Sequence, residues 1–378
     1  MTIEAELAGK VPALDAVAVP ALSIVVPTFN EVANVPLLVD KIRAVFPDQN
    51  WEIVFVDDDS TDGTEQVLHG LCRKYPFIRS LRRIGRRGLS SAVVEGILST
   101  SAPFVAVMDG DLQHDERLLP AMLAELQSDK ADLVVGSRYL QGGSTGEWDA
   151  SRVRMSRIAT YLSGLITDAQ CTDPMSGFFM IRRTTFDGAV RQLSGQGFKI
   201  LLDIMASSPT PPRLKELPYT FGIREHGESK LNSVIALEYI NLILDKLVGR
   251  WIPVRFIMFS LVGGLGVFVH MSVLTVLHFL GEPFVYSQSL ATVAAMTFNF
   301  FLNNILTYRD KRLKGTWPIL KGLLSFFAVC SFGAIANVGI ANVLFQRSFT
   351  WWLSAIAGIF VGVVWNFAAT SIFIWKRR

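Results

Sequence analysis

The sequence predicts an α/β domain built on a parallel sheet, followed by a helical membrane domain. From residue 22 onward, short continuous apolar runs alternate with helix-length segments, a pattern typical of strands buried on both faces. Half of the 378 residues are hydrophobic, and charged residues become rare after Arg255 except in short connections. The chain therefore has a water-soluble part and a membrane part.

Composition excludes several classes of protein. A net charge of +3 without one long basic run does not favour a nucleic-acid-binding protein, although an anionic substrate remains possible. The three cysteines, Cys72, Cys171 and Cys330, are scattered, so we expect neither structural disulfides nor a thiolate zinc site. Residues 1–20 lack a charged segment followed by a long apolar core and are expected to form a flexible leader.

Three apolar runs, at residues 22–27, 51–57 and 104–108, each end in polar side chains. Ligands of parallel α/β sheets bind at the carboxyl ends of the strands. The polar residues placed there are Pro27-Thr28-Phe29-Asn30-Glu31, Asp57-Asp58-Asp59 and the pair Asp109 and Asp111. Carboxylates at neighbouring strand ends suit Mg²⁺ or Mn²⁺, which complete their shell with phosphate oxygens and water. A nucleotide diphosphate would supply those oxygens.

The segment at residues 234–248 is apolar on one face. It is interpreted as a helix lying on the membrane surface because a spanning segment follows almost directly; an ordinary packed helix is the alternative. Four segments reach spanning length, at residues 256–280, 284–306, 319–345 and 351–375.

Basic residues flank these segments unevenly. The connection between the first and second segments and the one between the third and fourth together offer only Arg347. The chain ends and the connection between the second and third segments carry Arg250, Arg255, Arg309, Lys311, Arg312, Lys314, Lys376, Arg377 and Arg378. The positive-inside rule then predicts cytoplasmic termini and a cytoplasmic α/β domain in the cell membrane. Asparagines within the spans, at 299, 303, 337, 342 and 366, are interpreted as packing contacts, with a path for a lipid headgroup as the alternative.

With these motifs in this order, residues 22–231 resemble family 2 glycosyltransferases of the A-type (GT-A, Rossmann-like) fold. Within that family they are most similar to the polyisoprenyl-phosphate glycosyltransferases of the dolichol-phosphate mannose synthase type. The C-terminal part resembles the four-helix GtrA module. The resemblance implies a GT-A domain at residues 21–231, an interfacial helix at 232–254 and a transmembrane domain at 255–378.

The resemblance also implies residue roles. Pro27, Phe29 and Glu31 would line the nucleoside pocket, with Val56 and Asp58 at the base and ribose. Phe29 replaces the tyrosine usual in the family, so a hydrogen bond from that hydroxyl is lost.

Asp109, Gly110 and Asp111 would form the metal motif, and Gln113 would join it as a ligand or serve only as a residue at the start of a helix.

The remaining implied roles concern anions. Arg138, Arg152 and Ser156 would bind the phosphate of the acceptor lipid, although a basic loop near anionic headgroups is the alternative. Lys199, Arg224 and Lys230 would contact the diphosphate and the sugar; taken singly, each would be an ordinary surface cation.

The resemblance implies transfer of a hexose from a nucleotide sugar to a polyisoprenyl phosphate, with inversion. An ionised phosphate acceptor needs no general base. GDP-mannose is the expected donor and UDP-glucose the alternative. A processive polysaccharide synthase is disfavoured because Leu247 replaces the glutamine of its Gln-x-x-Arg-Trp motif. A translocator or scaffold for lipid-linked sugars remains open.

Overall fold

A computed structural model describes residues 19–47, 50–146, 150–167, 169–194, 199–222, 233–249 and 251–375. The chain divides into two compact units, with the boundary between Leu247 and Val248. The first unit combines a sheet with helices, and the second unit is helical.

Seven strands in the described residues form one sheet with the order β3-β2-β1-β4-β6-β5-β7. Neighbouring strands are parallel, except that β6 runs antiparallel to β4 and β5. The prediction of a parallel sheet is therefore wrong for β6, whose short buried apolar run looks the same in either direction. The strands are β1 (Leu22–Thr28), β2 (Trp51–Asp57), β3 (Ile78–Arg82), β4 (Phe104–Val107), β5 (Leu133–Ser137), β6 (Phe179–Arg182) and β7 (Leu214–Pro218).

Helices cover both faces of this sheet. Successive side chains of β1 point to opposite faces, so Ile24 and Val26 enter one apolar cluster while Val25 enters the other. The prediction of burial on both faces is confirmed for β1, β2 and β4, whereas the edge strands β3 and β7 are partly exposed. The helices of this unit are α1 (Asn34–Val45), α2 (Thr64–Lys74), α3 (Leu89–Leu98), α4 (Leu119–Gln127), α5 (Ala150–Ser163), α6 (Arg183–Ala189), α7 (Ile200–Ser207) and α8 (Ser233–Val248).

The described side chains of α8 show a helix packed on the α/β unit. Tyr239, Leu242 and Ile243 are buried in an apolar cluster of that unit, and Lys246 Nζ lies 2.6 Å from Asp203 Oδ1. These contacts match the packed-helix alternative. Location at a membrane surface stays a prediction for this segment.

Among its described residues, the second unit contains four helices long and apolar enough to cross a membrane, as predicted. They are α9 (Val254–Phe279), α10 (Phe284–Leu302), α11 (Thr316–Gln346) and α12 (Trp351–Phe373). A π-helical turn, Asn303–Thr307, continues α10. The observed ends differ from the predicted ends by a few residues, because hydropathy alone does not locate caps.

Helix α3 lies unusually close to the sheet at Gly96. A Cβ atom added there would lie 2.4 Å from Val25 Cγ1 and 2.9 Å from Val56 Cγ2. Both valines belong to fully buried central strands, so neither can move aside without disturbing the sheet. Glycine at this position therefore sets the distance between α3 and the strands that carry the candidate site.

We expect Gly96→Ala to lower the free energy of unfolding by about 1–3 kcal/mol, because the extra methyl overpacks the core. Gly70→Ala is the matched control, since a Cβ at that exposed position of α2 meets nothing within 4 Å. This control should raise stability by about 0.5–1 kcal/mol through helix propensity. Denaturant unfolding of both variants measures the difference, and equal stabilities would contradict the tight packing of α3.

Candidate functional site

Loops that follow β1 and β2 are hydrogen-bonded to each other at the carboxyl edge of the sheet. The backbone N–H of Asn30 donates to Ser60 Oγ at 2.8 Å, and the N–H of Glu31 donates to Thr64 Oγ1 at 3.0 Å. In return, Asn30 Oδ1 accepts from the N–H of Thr61 at 2.9 Å. Because β1 lies between β2 and β4, these loops adjoin the loop that carries Asp109 and Asp111.

Each of the three loops contains a non-glycine residue with a left-handed backbone. The φ angles are 57° at Asn30, 59° at Asp59 and 63° at Leu112. Asn and Asp tolerate this region, but a leucine there is strained. Strain of this kind persists where surrounding contacts fix the backbone, and it concentrates at functional sites.

The predicted nucleoside residues lie together at this edge. Pro27 and Val56 are directly opposite each other in the register of β1 and β2. A Cβ atom on Gly110 would lie 3.8 Å from the backbone oxygen of Pro27 and 3.8 Å from Glu31 Cγ. Four residues predicted from three separate segments therefore form one contiguous surface.

Two arginines missed at the sequence level complete this surface. The Arg87 guanidinium carbon lies 4.1 Å from the centroid of the Phe29 ring, a distance typical of a cation–π contact. Arg83, with 2% of its side chain exposed, donates from Nη1 to Asp58 Oδ1 at 2.7 Å. Both arginines belong to the run Arg-Arg-Ile-Gly-Arg-Arg at residues 82–87, which was the available signal.

Asp58, predicted to contact the ribose, is held from two sides. Besides Arg83, the backbone N–H of Gly88 donates to its Oδ2 at 2.7 Å. Burial raises the pKa of this carboxyl, while the hydrogen bond from Gly88 and the charge of Arg83 act in the opposite direction. The structure thus fixes the position of the carboxylate before any ligand binds.

Asp109 and Asp111 offer oxygen donors that suit a hard divalent cation. Asp111 is 6% exposed and accepts from the N–H of Gln113 at 3.2 Å, whereas the side chain of Asp109 is 35% exposed. A Cβ on Gly177 would lie 2.9 Å from Asp109 Oδ2, so glycine there leaves room beside the carboxylate. Within the described residues, no group of three or more His, Cys, Asp or Glu side chains is arranged to hold a metal.

Gln113 joins the acidic turn to the segment after β7. Its Nε2 donates to the backbone oxygen of Gly222 at 2.9 Å, and the N–H of Gly222 donates to the backbone oxygen of Gln113 at 2.8 Å. This pairing was in neither sequence-level interpretation of Gln113. Its role as a metal ligand stays a prediction.

His114 is a buried residue that the sequence interpretation passed over, although it directly follows Gln113. Its ring stacks on Phe178 with a centroid distance of 5.1 Å and contacts the edges of Tyr219 and Phe221. Its Nδ1 accepts from the N–H of Asp109 at 3.1 Å. Burial lowers its pKa from 6.5 to about 4. The ring is therefore neutral at pH 7 and carries its proton on Nε2, which lies 3.9 Å from Asp109 Oδ2.

Arg138, predicted to bind the acceptor phosphate, forms a buried ion pair with Asp173. Nε and Nη2 each lie 2.7 Å from a carboxylate oxygen, and the backbone N–H of Arg138 donates to the same carboxylate. The two residues are 7% and 0% exposed. This bidentate geometry fixes the plane of the guanidinium. Asp173 was missed because it lies 35 residues away in sequence.

The other predicted anion-binding residues are only partly described. Tyr139 OH donates to Ser156 Oγ at 2.7 Å, which links Ser156 to the residue that follows Arg138. Lys199 directly precedes α7, where its backbone oxygen accepts from the N–H of Asp203 at 3.0 Å. Arg224 and Lys230 lie outside the described residues, and Arg152 lies in α5 with a side chain outside them. The roles of all five residues in anion binding stay predictions.

Two family profiles match the chain. The profile described as Glycosyl transferase family 2 matches residues 23–188, and the profile described as GtrA/DPMS, transmembrane domain, matches residues 258–375. The first match falls in the α/β unit and the second in the membrane unit. Four apolar helices together with the second match identify a multi-pass membrane protein.

The chain is similar to curated proteins in sequence and to solved structures in fold. A dolichol-phosphate mannosyltransferase of Pyrococcus furiosus is 34% identical over 89% of this chain and 94% of its own length. The enzyme of the same name from Saccharomyces cerevisiae is 33% identical over 61% of this chain and 88% of its own length. Glucosyl-3-phosphoglycerate synthase from Mycobacterium tuberculosis is a solved structure with 20% identity and a TM-score of 0.46, covering 60% of this chain and 80% of its own.

The low pKa of His114 predicts a pH dependence of stability. Between pH 6.5 and about pH 4, the unfolded chain binds a proton at this residue that the folded chain does not, so stability falls as the pH drops through this window. The full effect is about 3 kcal/mol. His114→Phe retains an aromatic ring against Phe178 but cannot titrate, so it should lack this part of the pH dependence. Denaturant unfolding of both proteins between pH 7 and pH 4.5 measures the difference; parallel curves would contradict the assignment.

Proposed function

Because the chain belongs to the family of dolichol-phosphate mannosyltransferases, we propose that it transfers mannose from GDP-mannose to a polyisoprenyl phosphate. The chain is a membrane-bound glycosyltransferase whose substrates are a nucleotide sugar and a lipid phosphate. The observation that carries this proposal at the level of the site is the meeting of three loops, after β1, β2 and β4, at one edge of the sheet. Two of these loops provide the predicted nucleoside surface, and the third provides Asp109 and Asp111.

The nucleoside would bind against Pro27, Val56 and Phe29. Phe29 lacks a hydroxyl, and the nearby Arg87 guanidinium provides hydrogen-bond donors at the position where the family usually has tyrosine. Asp58 would accept a hydrogen bond from the ribose, in an orientation that Arg83 and Gly88 fix. Preorganisation of this kind reduces the entropy lost on binding.

Mg²⁺ or Mn²⁺ is the proposed cofactor, and Asp109, Asp111 and Gln113 are its proposed ligands. When bound, the ion neutralises charge that develops on the departing diphosphate. His114 accepts a hydrogen bond from the backbone N–H of Asp109, which helps to fix the backbone of this turn. Lys199, Arg224 and Lys230 are proposed to add positive charge beside the diphosphate.

The acceptor phosphate is proposed to bind at Arg138, Arg152 and Ser156. Because a phosphate is ionised near neutral pH, its oxygen can attack the anomeric carbon without a general base. Asp173 holds the guanidinium of Arg138 in one plane, which orients the donors of that group. The family implies a single displacement, so an α-linked donor gives a β-linked product.

The basic flanks of the membrane spans support a cytoplasmic location for both termini and for the catalytic unit. On that side of the cell membrane the enzyme would take a nucleotide sugar from water and its acceptor from the bilayer. The expected product is a polyisoprenyl-phosphate mannose that stays in the membrane.

Transfer of radiolabelled mannose from GDP-mannose into an organic-extractable lipid tests the proposed function. We expect transfer by the purified chain with Mn²⁺ or Mg²⁺, and its loss with EDTA. Asp111→Asn should lower turnover by at least about 100-fold, since the loss of one electrostatic group at a developing charge commonly costs that much. The matched control is Asp115→Asn, because Asp115 caps a neighbouring short helix and asparagine caps equally well.

Asp115→Asn should therefore retain near-normal turnover. Activity of Asp111→Asn equal to that of the wild-type chain would remove the metal role. Label recovered only in a water-soluble polymer would contradict the lipid acceptor.

Nucleotide preference is expected to appear in thermal stability. A ligand that binds only the folded state stabilises it by about 2.7 kcal/mol at 100 times its dissociation constant. GDP with Mn²⁺ should raise the unfolding temperature of the purified chain more than UDP with Mn²⁺ does. The reverse order would indicate UDP-glucose as the donor and would contradict the assignment of GDP-mannose.

A further inference from the structure

The two helical hairpins of the membrane unit share a residue pattern. In the first hairpin, a Cβ atom on Gly266 of α9 would lie 2.3 Å from Asn299 Oδ1 of α10. In the second hairpin, a Cβ atom on Gly333 of α11 would lie 2.1 Å from Asn366 Oδ1 of α12. Each residue of the second pair follows its counterpart by 67 positions, as from 266 to 333 and from 299 to 366.

The same offset relates contacts between the hairpins. Phe259 and Phe367 have ring centroids 5.7 Å apart at an interplanar angle of 65°. Their counterparts, Phe326 and Phe300, have centroids 5.8 Å apart at 60°. Position 259 of the first hairpin thus contacts the second hairpin in the same way as position 326 of the second contacts the first. Reciprocal contacts of this kind are what a two-fold axis imposes on a symmetric dimer.

One pair of counterparts lies where such an axis would pass. Tyr308 and Trp375, again 67 positions apart, stack face to face with centroids 4.1 Å apart and an angle of 4°. Trp375 Nε1 donates to Asn304 Oδ1 at 3.1 Å, and Tyr308 OH lies 2.6 Å from Ser371 Oγ. Residues 304 and 371 are counterparts too, so these two hydrogen bonds are also reciprocal.

Buried polar atoms of the two hairpins also occur at positions 67 residues apart. In the described part of the chain, Oδ1 of Asn299 and Oδ1 of Asn366 are both buried and have no hydrogen-bond partner. Unsatisfied buried oxygens are rare, and here both fall at counterpart positions. Ser287 and Ser354, a further counterpart pair, are likewise buried.

We infer that the membrane unit is an intramolecular pseudo-dimer. Its two hairpins are structural repeats, and each packs against the other. The partner surface that a single hairpin would otherwise need from a second chain is therefore present in the same chain. Parallel repeats about an axis along the membrane normal are an established architecture of membrane proteins. The inference concerns assembly of the membrane unit and does not depend on the proposed transfer reaction.

Double-mutant cycles in the full-length chain test the repeat. In a Cys72→Ala and Cys171→Ala background, the buried Cys330 is the remaining thiol, and its reaction with a thiol-specific dye on heating reports unfolding of the membrane unit alone. We expect Gly266→Leu and Gly333→Leu to lower the melting temperature by similar amounts, of at least about 5 °C. Gly264→Leu and Gly339→Leu are matched controls, because a Cβ at either position meets nothing within 4 Å; each should shift the melting temperature by less than about 2 °C.

Rescue should be specific to the glycine–asparagine pair that is in contact within one hairpin. Asn299→Ala makes room for the leucine of Gly266→Leu, so their combination should recover at least half of the lost melting temperature; Asn366→Ala should not rescue that variant. For Gly333→Leu, Asn366→Ala should rescue the melting temperature and Asn299→Ala should not. Rescue in one hairpin only, or equal rescue across hairpins, would overturn the inference.

An exchange across the axis keeps the test informative if the leucine variants fail to fold. Tyr308→Trp combined with Trp375→Tyr restores one phenol and one indole to the stack, so the melting temperature should change by less than about 3 °C. Tyr308→Leu, which removes one ring, should lower it by more than that. An exchange variant as unstable as Tyr308→Leu would show that the two positions are not counterparts.

Discussion

Compensation of negative charge at the carboxyl edge of the sheet is the interaction on which the rest of the catalytic unit depends. The strand order places carboxylates from three loops side by side, and like charges at short range oppose folding. Arg83 pairs with Asp58, and Arg138 pairs with Asp173, both in largely buried positions. Removal of one partner from a buried pair typically costs 3–5 kcal/mol. These arginines therefore stabilise the fold and shape the site with the same contacts.

Hydrogen bonds within the chain also shape the acidic turn of this edge. Asp109 is held through its backbone by His114, Asp111 accepts from the N–H of Gln113, and Gln113 is bonded to Gly222. The chain thus fixes the backbone of Asp109 and the carboxylate of Asp111. A cation and a diphosphate would complete the charge balance rather than create the fold of this edge.

Packing of the helices in the membrane unit depends on a different set of contacts. Helices in hydrocarbon gain little from apolar contacts with each other, so small residues and side-chain amides direct their packing. Glycines at 266 and 333 let the amides of Asn299 and Asn366 approach the backbone of the neighbouring helix. The aromatic stack of Tyr308 and Trp375 then joins the two hairpins. The sequence interpretation of the asparagines as packing contacts agrees with these positions.

Much of the fold could be predicted from the sequence, because buried strands and membrane-spanning helices have recognisable lengths and patterns of apolar residues. Alternation of apolar runs with helical segments located β1, β2 and β4, and hydropathy located all four spans. The acidic motifs at strand ends were visible because each of them directly follows an apolar run. The direction of β6 was not visible, since a strand buried on both faces has the same composition whichever way it runs.

The sequence by itself determined which charged residues lie at the edge of the sheet. Only the tertiary structure decided which residue each of them pairs with. Asp173 pairs with Arg138 across 35 residues, and Arg83 reaches Asp58 across 25; no periodicity connects such positions. His114 is neutral because the fold buries it among Phe178, Tyr219 and Phe221, a setting that its neighbours in sequence do not specify. Periodic burial is a property of segments, whereas pairing and desolvation are properties of distances that exist only in the folded chain.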